Sequence, residues 1–484
     1  MEFPLGGYNR DYDSRVSRTD ALNCCLEPNV DQSFFRVRRV PGLQDNYDVG
    51  LGPIRGMFEI QGELFVVSRN KLFVITTAGL ITELGDVGGS TTRVRMAANG
   101  ADDNQIMIVS DGNGYIYDPT LGTPFQQITD VDFSAGRGVA SLNQIFWVPR
   151  PDSNTLQGSD TANGLAWDPL RRVSAEQDPD LLTQAIRLTS ALWLMGKKVC
   201  EYWQVDPSDA INPIRPVAGA TIMRGVGANE SIATWQNNAF WLADDFTVWQ
   251  ITGGQAKKIS DLNLEYAING DGRALPGYTA PERATGFFID HPVHKQYVLT
   301  FPADGATWVY DVTTQLWHRR ESSGIGRWRG AESALFNNQV LIGDYRLGKV
   351  WLLTEKEFTE NGETLKCQLV PPGIRSKEGD MTVESVELFM EVGVGGISNV
   401  DAHGILKELP IDPKITVEYS KDGGASWLFK PDLSIGRIGE REIRVKSRLF
   451  GRVRKEYALM LRFTVTDAVP VEMYELHVEL DITP

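Results

Sequence analysis

The chain has 484 residues, 42% hydrophobic and 23% charged, with a net charge of −15; such values belong to an ordinary folded protein with room for more than one core. The acidity excludes a strongly basic nucleic-acid binder, because counterion release needs clustered lysine and arginine. No apolar run approaches the roughly 18 residues of a membrane span, and residues 1–15 lack the basic flank and apolar core of a secretion signal, so a protein made and kept in a cytosol-like space is expected.

In chain order, the first patterned stretch is 56–79, GMFEIQGELFVVSRNKLFVITTAG. It reads as a three-strand β-meander: short runs rich in Val, Ile and Phe, closed by Gly or Asn turns. Such a unit cannot bury its own faces and needs copies beside it. Its first hairpin turn, at Gly62, returns near Gly100, Asn143, Gly196, Asn237, Val293 and Asn337, at spacings that scatter around the roughly 40 to 50 residues of a propeller blade. Later strands often end in an aromatic or aliphatic residue and then Asp or Thr, as in YIYDP at Tyr115 and TWVYDV at Thr307, similar to the Trp-Asp ending of propeller blades. The aromatics read as packed blade cores. Two stretches, 152–160 and 265–283, hold Pro, Gly, Asn and Asp clusters and read as loops projecting from the ring. Helix is scarce; the candidate is 180–194, DLLTQAIRLTSALWL, weakened by Thr183, Thr189 and Ser190.

Composition changes at 355–362, EKEFTENG, after which strands lengthen and alternate with period two, as in 383–388. This reads as a separate β-sandwich-like module. The expected organisation is all-β: an N-terminal segment, 1–55, that pairs into the propeller and contacts neighbours; a propeller of six or seven blades over 56–355; and a C-terminal β module over 364–484.

Little in the sequence points to catalysis or metal chemistry. There is no Gly-x-Ser-x-Gly elbow, phosphate loop or HExxH, and five histidines give little material for acid–base work. His291 and His294 sit in a turn without a third ligand nearby in sequence, and Cys24, Cys25, Cys200 and Cys367 form no CxxC pair and read as free thiols. No catalytic residue, cofactor or metal is expected. The stretch Ser420 to Trp427, SKDGGASW, fits the Asp-box hairpin, Ser-x-Asp-x-Gly-x-x-Trp, whose Ser and Asp tie a turn. A sialidase would carry several such boxes in its propeller; here there is one, outside it. A glycan-binding or glycan-cleaving propeller is therefore the alternative reading, and a propeller scaffold for protein partners a third.

The densest basic run is Arg441, Arg444, Lys446, Arg448, Arg452, Arg454 and Lys455. Positions 444, 446 and 448 share one face of a strand. That face is either solvated and salt-bridged or relieved of its own repulsion by an acidic neighbour or DNA.

The segment 174–203, with Leu26-Glu-Pro-Asn29, the turn 38–43 (Arg-Arg-Val-Pro-Gly-Leu) and 450–454 (Phe-Gly-Arg-Val-Arg), resembles the packaged-DNA stabilisation proteins of short-tailed phages, also called tail hub or nozzle proteins. The similar features run in the same order along nearly the whole chain. The stretch 393–409 and the Trp-rich loops depart from the pattern. The resemblance implies a structural virion protein: a homo-hexameric ring assembled in the host bacterial cytoplasm and located in the virion tail. The ring would seat below the portal and its adaptor (head-completion) protein, receive a needle or plug, bear spikes or fibres, and let double-stranded DNA pass during ejection. A conduit must let DNA slide, so Arg444, Lys446, Arg448, Arg452, Arg454 and Lys455 are expected at a subunit or adaptor contact and not on a DNA clamp.

Overall fold

The computed structural model describes residues 2–3, 20–28, 35–100, 105–134, 136–175, 180–270, 276–394 and 411–483. Most of the stretch 393–409, expected to depart from the family pattern, lies outside them. The chain packs as two compact units, one of 46–304 with 329–352 and the other of 1–45 with 305–328 and 353–484.

The first unit is a β-propeller. Five complete four-stranded antiparallel sheets follow one another over 54–86, 95–127, 140–174, 182–222 and 233–258. Blade 6 contributes the hairpin Thr285–Asp290 and Lys295–Phe301, and blade 7 the meander Gly330–Phe336, Gln339–Asp344 and Lys349–Thr354. Each blade buries both faces against its neighbours, which is why its middle strands are apolar throughout: Glu63–Ser68 and Ala191–Gly196 read ELFVVS and ALWLMG.

The interblade cores can be followed round the ring. Phe65 and Val67 pack on Ile106 and Ile108; Met107 and Ile116 pack on Phe146 and Trp167. Trp147 and Leu156 pack on Leu192 and Trp203, and Ile186 and Trp193 on Trp241. Phe240 stacks on Phe288 and Tyr297 at centroid distances of 5.3 and 5.2 Å. Between blades 6 and 7 the hydroxyl of Ser333 donates to the Phe288 carbonyl.

Closure comes from blade 7 meeting blade 1. Phe336, Leu341 and Val350 share a core with Ile54, Leu64 and Val66. The N-terminal chain joins there: Val49 and Tyr47 pack into that core, the Val49 N–H donates to the Gly348 carbonyl at 2.8 Å, and Asp48 pairs with Lys349 at 3.1 Å. The described residues thus form seven blades, with no open edge between the last and the first.

Three expectations fail locally. The candidate helix at 180–194 is a hairpin, Leu182–Leu188 against Ala191–Gly196. Apolar residues at 182, 185, 186 and 188 mimic helical spacing only because the strand is buried on both sides. Its turn is at Thr189, with φ 53°, so the hairpin turn of blade 4 is there and not at Gly196. Neither expected loop is purely irregular either, since Thr155–Gly158 is a strand and Leu262–Asn269 a helix. Asp261 caps that helix by accepting from the Leu264 N–H.

The second unit is a β-sandwich. One sheet has the order Cys24–Pro28, Phe35–Arg39, Glu472–Thr483, Asp380–Met390, Val445–Val453. The other runs Leu316–Arg319, Asp20–Leu22, Cys367–Val370, Met460–Val465, Lys414–Ser420, Leu428–Phe429. Their inner faces share one core that includes Val37, Val383, Val386, Ile415, Phe450, Phe463 and Leu476. The N-terminal strands at 20–28 and 35–39 therefore run in the sandwich sheets. Arg39, from the Arg-Val-Pro-Gly turn, is buried and donates to the Val469 carbonyl at 3.0 Å, fixing that turn from inside.

Candidate assembly interface

The strand Val445–Val453 is an edge of the first sandwich sheet. Its basic side chains and those just beside it lie near carboxylates of the adjoining strand, Asp380–Met390, and of the strand beyond that, Glu472–Thr483. Arg444 holds Glu387 with two hydrogen bonds, at 2.6 and 2.5 Å. Lys446 reaches Glu479 at 3.1 Å, and Arg452 reaches Asp380 at 2.9 Å. Lys455 supplies its backbone N–H to Asp380, also at 2.9 Å.

The titration behaviour follows these contacts. The Arg444 hydrogen bonds hold Glu387 below the usual carboxylate range. Glu479 is lowered by the Ser385 hydroxyl and then by Lys446. Asp380 is lowered by the Lys455 N–H and then by Arg452. Three of the six expected interface residues, Arg444, Lys446 and Arg452, are thus paired through their side chains with acids of their own sheet. Arg448, Arg454 and Lys455 are exposed, and their side chains make no ion pair among the described residues.

A bulge shapes the same edge. Val383 pairs with Gly451 and Ser385 with Arg448, so Leu449 and Phe450 face a single partner residue. Leu449 takes φ 62° and Gly451 φ 77°, which sends Phe450 into the core, 1% exposed, and Leu449 outward, 83% exposed. Phe450 meets Tyr419 edge-on at 5.1 Å. Lys430 lies over the Phe450 ring at 4.7 Å and donates to the carbonyls of Arg448 and Leu449 at 2.8 and 2.7 Å. The exposed product is an apolar Leu449 flanked by the unpaired Arg448, with Leu428 and Phe429 also exposed on the edge strand of the other sheet.

The Asp-box hairpin is tied as its residues predict. Ser420 donates to Asp422 at 2.6 Å and accepts from the Gly424 N–H at 2.8 Å, and the Ser426 N–H donates to Asp422 at 2.9 Å. These bonds, led by Ser420, pull Asp422 down to about 2. Trp427 lies under the Arg462 guanidinium at 3.8 Å. The Ser420, Gly424 and Ser426 bonds hold the turn itself together, and the Arg462 contact packs it on the strand Met460–Val465.

The propeller axis is crossed by side chains that lie far apart in the sequence and in no motif. Arg93, just before the inner strand of blade 2, donates to the Glu230 carbonyl at 2.9 Å and to the Gly286 carbonyl, and pairs with Glu332 of blade 7, one hydrogen bond being 2.7 Å. Arg95 donates to the Ile232 carbonyl at 3.3 Å and pairs with Glu230 at 3.6 Å. Burial, then the neighbouring Arg93 charge, pushes Arg95 down to about 10. Burial raises Glu332 despite its partner. Blade 2 is therefore bonded across the ring to blades 5, 6 and 7, and the hole of the propeller is bridged by its own residues.

The described residues thus give a seven-bladed propeller, bridged across its axis, and a β-sandwich with a basic edge strand. Residues 24–357 match the β-propeller of bacteriophage P22 Gp10 and residues 367–481 match its β-sandwich; the chain belongs to the Gp10 family of phage DNA-stabilisation tail proteins. No curated protein matches the sequence significantly. Among solved structures the chain is similar to virginiamycin B lyase from Staphylococcus aureus (10% identity, 64% of this chain and 98% of that one, TM-score 0.42). It is also similar to BamB from Moraxella catarrhalis (13%, 70% and 96%, 0.37) and to the Pan2 WD40 domain of Neurospora crassa (11%, 71% and 97%, 0.39).

Proposed function

We propose that the chain is the nozzle, or hub, of the phage tail: a ring of six copies seated below the portal adaptor that retains packaged DNA and forms the channel for its ejection. The ring receives the needle or plug and bears spikes or fibres. The observation that carries this reading is family membership over both halves of the chain, combined with the bridged propeller axis. Because Arg93, Arg95, Glu230 and Glu332 bridge the hole of the propeller among the described residues, the DNA passage is taken to be enclosed by several copies. Closed rings of identical subunits use heterologous contacts.

Charge supports the same picture. DNA carries one negative charge per roughly 1.7 Å of axis, and a strongly basic lumen would hold it through counterion release. A subunit at −15 suits a wall that lets DNA slide. The basic edge of the sandwich then belongs to a contact with a neighbouring subunit or the adaptor. Within it Arg448, Arg454 and the Lys455 ammonium carry the contact, since Arg444, Lys446 and Arg452 are already paired with Glu387, Glu479 and Asp380.

The test is genome retention. Particles packaged without this protein should leave their DNA open to added nuclease, and purified protein added back should restore protection. Particles that keep their DNA equally well without it would refute the assignment.

A further inference from the structure

Beside the axial arginines the inner strands of blades 1 to 5 line a partly open cavity of about 320 Å³. Its polar groups are of one kind. Arg95 and Arg187 bring two guanidiniums, Ser141 a hydroxyl and Gln184 a carboxamide, and among the described residues no carboxylate lines it. Phe58, Ile186 and their neighbours supply apolar wall.

Gln184 is 3% exposed, yet neither its amide oxygen nor its amide nitrogen has a hydrogen-bond partner, and the same holds for the Ser141 hydroxyl and for Nε of Arg95. Buried polar groups are costly unless something bonds them. These groups are also held in place. A Cβ at Gly138 would come within 2.5 Å of the Gln184 Cγ, so only glycine there leaves room for that side chain. Arg187 is fixed by donating to the Thr189 carbonyl at 2.9 Å and the Ser141 carbonyl at 3.4 Å.

Water could satisfy the amide and the hydroxyl, but Arg187 has no carboxylate paired with it among the described residues and Arg95 has Glu230 alone within ion-pair distance, at 3.6 Å. An anion answers both needs, because guanidinium, hydroxyl and amide N–H all donate to an oxyanion. The volume exceeds what one phosphate fills and lies at the lower end of small-molecule sites. We propose that this cavity binds a small organic oxyanion, with carboxylate or phosphate oxygens on Arg95, Arg187, Ser141 and Gln184 and its carbon body against Phe58 and Ile186. The proposal does not depend on the ring or nozzle reading. It adds a ligand to the propeller itself.

The experiment is calorimetric titration of the full chain with citrate and with inorganic phosphate, each against sodium chloride at matched ionic strength. Citrate should bind saturably with one site per chain, and phosphate more weakly. Gln184→Leu and Ser141→Ala should each weaken citrate binding about tenfold or more, as expected when a hydrogen bond to a charged ligand is lost. Arg187→Gln should weaken it further and reduce its salt dependence. Without ligand, Gln184→Leu should melt no lower than the parent, since it removes an unbonded buried amide. Failure of both anions to titrate beyond chloride would overturn the proposal. So would binding that persists unchanged in both Gln184→Leu and Ser141→Ala.

Discussion

Replacing Arg93 with methionine removes the guanidinium that ties blade 2 to blades 5, 6 and 7 and strands the Glu332 carboxylate, whose side chain is 10% exposed. Breaking a buried ion pair on one side costs about 3–5 kcal/mol, because the remaining charge keeps its desolvation penalty without its partner. Both side chains are well under a third exposed, so solvent screening reduces this figure little. Replacing both residues, as Arg93→Met with Glu332→Met, should recover most of the loss. The sign with pH follows from Glu332, whose pKa is raised in the folded protein, first by burial. A raised carboxylate pKa favours folding below the ordinary value and loses that favour as pH rises through the folded value. The single variant should therefore approach the parent in mildly acidic buffer and fall away from it toward neutrality. Urea unfolding followed by tryptophan fluorescence at several pH values reads this directly. A single variant as stable as the parent at neutral pH, or a double variant no better than the single, would refute the account of the axis.

Reversing Arg448 and Arg454 to Glu should weaken ring formation or adaptor binding while leaving the sandwich folded, with a larger loss at low salt, where like charges are less screened; analytical ultracentrifugation at two ionic strengths checks it. Arg444→Ala should instead lower sandwich stability only slightly in thermal melts, since Arg444 is largely exposed and solvent screens its pair with Glu387. Leu449→Gly relieves a left-handed residue at little burial cost and should raise stability by up to about 1 kcal/mol, so a drop in assembly without a drop in melting temperature would mark Leu449 as a contact. For Asp422, held down to about 2 chiefly by Ser420, the hairpin's contribution is present above the ordinary aspartate range and is lost as pH falls toward 2; amide exchange at Gly424 and Ser426 should quicken over that interval and remain slow above it.

What the sequence revealed and what it hid divide along physical lines. Blades were legible because each hairpin is local: Gly62, Asn143, Asn237 and Asn337 all lie in first hairpin turns, and all have positive φ except Asn237, whose neighbour Gln236 takes it instead. Blade 4 was misplaced because its first strand, buried on both sides, loses the alternation that marks a half-buried one. The helix Leu262–Asn269 escaped notice because eight residues with one Asp cap are a weak signal. The shared face of Arg444, Lys446 and Arg448 was plain from their alternation, but their acids lie 57 and 33 residues away in the cases of Glu387 and Glu479, and only sheet register reveals the pairing. The axial network was the least accessible, since Arg93 and Glu332 are separated by 239 residues and neither sits in a motif.

Electron microscopy of the purified protein, alone and mixed with the portal–adaptor ring, tests the central claim most directly. A closed six-fold ring on the adaptor is expected, with the passage bounded by several subunits, each propeller bridged at its own axis, and the edge strand Val445–Val453 at a contact. Isolated monomers that never join the adaptor, or a ring whose open passage runs through the propeller of each subunit, would contradict it.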